Sequence, residues 1–163
     1  MKMNTQKWLL ATWILIILSN CSQRKPIDID DDIRGPSEHE DSVIQIAPHV
    51  PEAVQILVEE AEAQQQQGQT EEAISTLKRA LSISPSSALV QQHLAELYLM
   101  EGHFQNAYDW SQRVVQQGPT RGALCERARR TLALAAEMLN DVATQAQSLE
   151  SIGECTQAKP QKF

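Results

Sequence analysis

The side chains able to do chemistry are few and scattered. His93 and Glu96 stand three residues apart, the spacing with which helical bundles hold paired iron ions. That chemistry requires a second such pair and two further glutamates. Only one pair exists here, so His93 reads as a surface histidine. The run Asp28-Ile29-Asp30-Asp31-Asp32 has the charge for calcium but lacks the glycine and distal glutamate of a calcium loop. It reads as solvated charge. Cys125 has no histidine at an activating spacing, and no serine, histidine and acid fall into a triad pattern. Three cysteines are too few for a four-cysteine zinc site. The expectation is a non-enzyme with no catalytic residue, metal or cofactor.

Composition narrows the remaining classes. The 163 residues are 42% hydrophobic but only 4% aromatic, which disfavours both a disordered chain and a β-sandwich. Fourteen basic residues face 21 acidic ones, a net charge of −7. Binding to nucleic acid rests on neutralising phosphates, so no nucleic-acid partner is expected.

The third cysteine, Cys21, has a setting of its own. Lys2 and Lys7 precede an uncharged apolar run, Trp8 to Leu18. Eleven residues suit the core of a signal peptide and are short for a bilayer, which needs about 20 helical residues. Leu18-Ser19-Asn20-Cys21 follows. It resembles the processing site of bacterial lipoproteins, except that this family places Gly, Ala or Ser where Asn20 stands. The resemblance implies removal of residues 1–20 and lipidation of Cys21, so that the membrane is reached through a lipid anchor. Ser22 and Gln23, in place of Asp, imply by the family's sorting rule an outer-membrane address facing the periplasm. An inner-membrane anchor is the alternative destination, and an uncleaved, single-pass signal anchor the alternative reading. Loss of Lys2 and Lys7 leaves 12 basic and 21 acidic residues, net −9.

Residues 21–50 read as the anchor cysteine followed by a disordered acidic tether. Seven acids from Asp28 to Asp41 are punctuated by Pro26, Gly35, Pro36 and Pro48. A free chain of this length reaches about 30 Å. Ile44, Ile46 and Val50 are expected to dock on the first helix.

Beyond residue 50 the chain repeats. Gly68 and Gly102, Ala73 and Ala107, Ala80 and Val114, and Pro85 and Pro119 are each 34 residues apart. Val54, Leu57, Val58 and Ala61 share a helical face, as do Ala73, Leu77 and Ala80, and Val90, Leu94, Leu97 and Tyr98. Thr70, Ser86 or Ser87, and Thr120 are expected N-caps. The pattern resembles the tetratricopeptide repeat, a pair of antiparallel helices. The first repeat runs over residues 54–87 and the second over 88–121. A drifted third hairpin, turning at Asn140-Asp141, carries Cys125, Ala128, Leu132, Ala135 and Leu139 on one helix. Val142, Ala146, Leu149 and Ile152 share a face of the other. The expected fold is all-α: a short solenoid of six helices over residues 51–153, then a disordered tail, 154–163.

Stacked hairpins curve, and the resemblance implies a concave groove lined by the first helix of each pair. Its exposed positions would be Gln55, Val58, Glu62 and Gln65, then Leu89, Gln92, Glu96 and Leu99, then Arg127 and Arg130 with Leu134 and Glu137. This mixed surface suits an extended peptide or a partner helix from an envelope protein. The expected role is a protein–protein adaptor or assembly factor. Self-association through Leu89, Leu99 and Trp110 is the alternative. Cys125 and Cys155 lie equally far from the turn at Asn140, so the last hairpin brings them level. In an oxidising compartment they form a staple; otherwise Cys125 is buried and Cys155 free.

Overall fold

The computed structural model describes residues 26–37 and 50–156. The leader, Cys21, Ile44, Ile46 and the tail beyond Thr156 lie outside the described residues. Within them there is no strand. Six helices make three hairpins: α1 (Glu52–Gln66) with α2 (Thr70–Ile83), α3 (Ala88–Met100) with α4 (Phe104–Gln117), and α5 (Ala123–Met138) with α6 (Val142–Ser151). A 3₁₀ turn, Ile152–Cys155, closes the last. Each hairpin packs on its neighbour, α2 on α3 and α4 on α5, and α3 also reaches α5.

One turn design serves all three hairpins. Gly68 and Gly102 have φ of +73° and +76°, and Asn140 takes the same left-handed conformation at +60°. In each turn the next residue's N–H reaches back to a carbonyl five residues earlier: Gln69 to Gln64, His103 to Tyr98 and Asp141 to Ala136, all 2.8–2.9 Å. This is the glycine-type helix stop, and asparagine is the other residue that tolerates it. The 34-residue spacing is thus a spacing of turns. The third falls four residues late because α5 is three residues longer than α3 and the connection before it is one residue longer.

Helix starts differ from expectation. Ser87 caps α3, its Oγ accepting from the Val90 N–H at 3.4 Å. Asp141 caps α6, accepting from the Thr144 N–H at 3.1 Å. Hydrogen bonds, first from the Thr144 side chain, hold the Asp141 carboxyl below its ordinary range. Thr70 is instead the first residue of its helix, and α5 starts after Gly122, so neither Thr70 nor Thr120 is a cap. A Cβ at Gly118 would meet the Val114 carbonyl oxygen of the preceding turn at 2.5 Å, so the chain leaves α4 in this conformation only with glycine there.

Two departures bear on function. Residues 26–37 belong to the stretch expected to be a disordered tether. They form instead a wide-turned helix, Asp30–Arg34, continued over Gly35–Ser37. Ile29 and Ile33 are buried in the core cluster. The acids face outward while isoleucines four apart face in, so the composition hides a one-sided helix. On α6 the inward face is polar, with Ser148 buried. Val142, Ala146 and Leu149, expected to pack, are exposed, and Val142 is 71% accessible. No fourth hairpin follows among the described residues to cover that stripe.

Candidate partner groove

The centre of the molecule is α3, buried without a break from Val90 to Leu99. A helix enclosed on all sides normally lacks charge, yet α3 carries Gln92, His93 and Glu96 on consecutive turns. Glu96 is fully buried. It accepts hydrogen bonds from Arg127 Nε to Oε1 at 2.9 Å and Nη2 to Oε2 at 2.8 Å. Arg34 donates to Oε2 from Nε at 3.1 Å and from Nη2 at 2.9 Å. Gln92 Nε2 donates to Oε1 at 2.9 Å and to Thr131 Oγ1 at 2.8 Å. The Thr131 hydroxyl in turn donates to the Arg127 carbonyl at 2.8 Å. One carboxylate therefore joins α3, α5 and the N-terminal segment.

Burial alone would raise the Glu96 pKa, but Arg127, first by charge and then by hydrogen bonding, and Arg34 outweigh it and bring it to about 2. His93 is pushed the other way. Burial, joined by the charges of Arg127 and Arg34, outweighs Glu96 and lowers it to about 4, so it is neutral at pH 7. Its Nε2 lies 3.5 Å from Glu62 Oε1 on α1. The surface histidine expected from the sequence is a core residue.

The expected groove positions divide accordingly. Gln55 is exposed and donates to Glu59 at 3.0 Å, while Gln65 and Leu89 are half-buried. Glu62 is half-buried against His93. Arg130 is half-buried, 3.9 Å from Glu126 Oε2. Val58, Gln92, Glu96 and Leu99 are buried and do not form an open surface. Arg127 spends its charge on Glu96. Residues 26–37 lie along α5 and send Arg34 across to α3, covering the centre of the expected groove. Among the self-association residues, Leu99 is buried and Trp110 is half-buried with Arg113 stacked 4.7 Å from its ring centre.

The sequence reading missed Ile29, Ile33, Arg34 and Thr131. The signal for the first three was present: two isoleucines four apart and then an arginine. The surrounding acids mask it in any reading by composition. At the far end, Cys125 and Cys155 are joined by a disulfide, Cα–Cα 5.7 Å. Arg129 lies against both sulfurs and bonds Glu154 at 3.2 Å, and the Gly122 N–H donates to the Cys155 carbonyl at 2.9 Å. Residues 154 and 155, expected in a disordered tail, are therefore held. Among the described residues no group of three or more His, Cys, Asp or Glu could hold a metal. No described helix is long and apolar enough to cross a membrane.

Comparison with known proteins agrees with the repeat architecture. A family described as YpiA-like tetratricopeptide repeats matches residues 65–119, from the end of α1 through α4. Among solved structures, the globular C-terminal domain of P. aeruginosa LpoP is similar at 26% identity, with a TM-score of 0.59. The match covers 64% of this chain and 99% of that one. No curated protein matches the sequence.

Proposed function

We propose that this tetratricopeptide-repeat protein is a non-catalytic adaptor of the bacterial cell envelope, tied to the outer membrane through a lipid on Cys21 and facing the periplasm. The observation that carries the adaptor role is a helical segment already docked on the repeat body, held by two buried isoleucines and a shared carboxylate. A surface that seats one such segment has the depth and polarity to seat a partner's. The envelope address rests on the apolar run and Cys21. The likeness to a globular C-terminal domain supports a layout with the folded part after an N-terminal lead.

A photo-crosslinker at Gln65 or Leu89, expected groove positions that stay partly accessible, tests the adaptor role in whole envelopes. A discrete partner band is expected from these positions and not from Gln105 on α4. Equal crosslinking from all three would overturn the groove assignment. Cys21→Ser is expected to move the protein from the membrane to the soluble fraction. Retention in the membrane would favour an uncleaved anchor.

Self-association remains a second reading because of one observation, the exposed stripe of Val142, Ala146 and Leu149 on the last helix. Solenoids normally cover that face with a capping helix or another unit. The surface differs from the Leu89, Leu99 and Trp110 set expected from the sequence, in which Leu99 is not available.

A further inference from the structure

We infer that residues 27–37 are a ligand held in cis. The groove recognises a short helix with two branched apolar side chains four apart and an arginine directly after the second, and a partner carrying that pattern enters by displacing this segment. The inference rests on the adaptor reading and specifies the chemistry of the partner.

The segment is built as a separable unit. Asp28 Oδ1 accepts from the N–H groups of Asp30 and Asp31 at 3.0 and 3.2 Å, and Asp32 Oδ2 accepts from the Asp28 N–H at 2.9 Å. Arg34 Nη1 bonds Asp30 Oδ1 at 3.3 Å. These bonds stay within the segment and travel with it. It meets the body through Ile29 and Ile33 in the core cluster, Ile27 packed against that cluster, Arg34 on Glu96, and residues 30–37 along α5.

The groove is also able to let go. When Arg34 leaves, Glu96 keeps both bonds from Arg127 and the one from Gln92. The buried charge then stands one to one, whereas two guanidiniums share the carboxylate when the segment is docked. Departure therefore leaves no isolated buried charge, the usual obstacle to opening such a site. Residues 38–51 join the segment to α1, and so short a connection keeps its local concentration in the millimolar range. A partner must exceed that competition, which lowers its apparent affinity by the fraction of open chains.

The test uses the purified full chain and a fluorescent peptide with the sequence of residues 26–37. Ile33→Asp in the protein evicts the chain's own segment. The peptide is expected to bind this variant saturably and the wild type about tenfold or more weakly. A peptide with Arg34→Glu is expected to lose that binding. Absence of binding to a variant that keeps its helical signal and cooperative unfolding would overturn the inference. Hydrogen exchange on the wild type gives a second arm that needs no variant. Amides 29–35 are expected to exchange independently of α3, and simultaneous exchange would make the segment an integral part of the fold and overturn the inference. Peptide capture without partner crosslinks in envelopes sinks the adaptor reading alone. Crosslinks without peptide capture sink this inference alone.

Discussion

Glu96 is the residue on which the interior depends, because among the described residues it is the one fully buried carboxylate that two arginines share. The two arginines are not equivalent. Glu96→Gln would leave both guanidiniums facing a neutral amide, at a cost of about 3–5 kcal/mol. Arg34→Ala leaves the Arg127 pair whole and removes a side chain that water partly reaches, so about 1 kcal/mol is expected. Urea unfolding of the two variants checks the ranking, and a larger loss from Arg34→Ala would contradict it. His93 sets the first step of acid sensitivity. Its pKa is 6.5 in a free chain and about 4 when folded, so the unfolded state binds more protons between those values. Stability therefore falls as pH drops from 6.5 towards 4, by about 2–3 kcal/mol. Glu96 acts at lower pH. Its folded pKa of about 2 lies below the free value of 4.5, so its contribution is present above 4.5 and lost as pH falls towards 2. His93→Gln is expected to flatten the urea midpoint between pH 6.5 and 4 and leave the steeper loss below 4.5.

The recurring element is the helical hairpin, and its turn is the feature the sequence displays most openly. A Cβ at Gly68 would meet nothing within 4 Å, so Gly68→Ala tests backbone conformation alone. A left-handed alanine costs about 1–2 kcal/mol, and the same is expected of Gly102→Ala. Asn140→Gly relieves the one left-handed non-glycine residue among those described and is expected to be neutral or slightly stabilising. Thermal midpoints of the three variants check the set. Equal losses at all three would mean that the turns do not share one design. On α6 the sequence shows a clean apolar stripe, but periodicity gives only the phase of a stripe. It cannot say whether a neighbour exists to cover it, and here none does among the described residues.

For the whole molecule, the disulfide sets the stability of the end farthest from the first hairpin. It closes a separation of 30 residues, for which loop entropy gives about 3–4 kcal/mol. Cys155→Ser is expected to lower the unfolding midpoint accordingly, and unreduced wild-type protein should show one bridge by mass. Two free thiols would remove this contribution. The short contact order of stacked hairpins also explains why so much of the architecture was legible. Each helix meets mainly the next one, so local signals such as turn spacing, helical faces and helix stops suffice to lay out the solenoid.

The sequence by itself determined the repeat, its turns and its six principal helices, because each is written within a few residues of where it acts. Only the tertiary structure decided what fills the groove. Arg34 and Glu96 are 62 positions apart, and Arg127 lies 31 beyond Glu96. No periodicity spans those distances, and an acidic composition around Ile29 and Ile33 argues locally for solvent. Burial of that segment arises from its packing along α5 and its bond to Glu96 of α3, a property of the assembled hairpins that no single stretch of chain possesses.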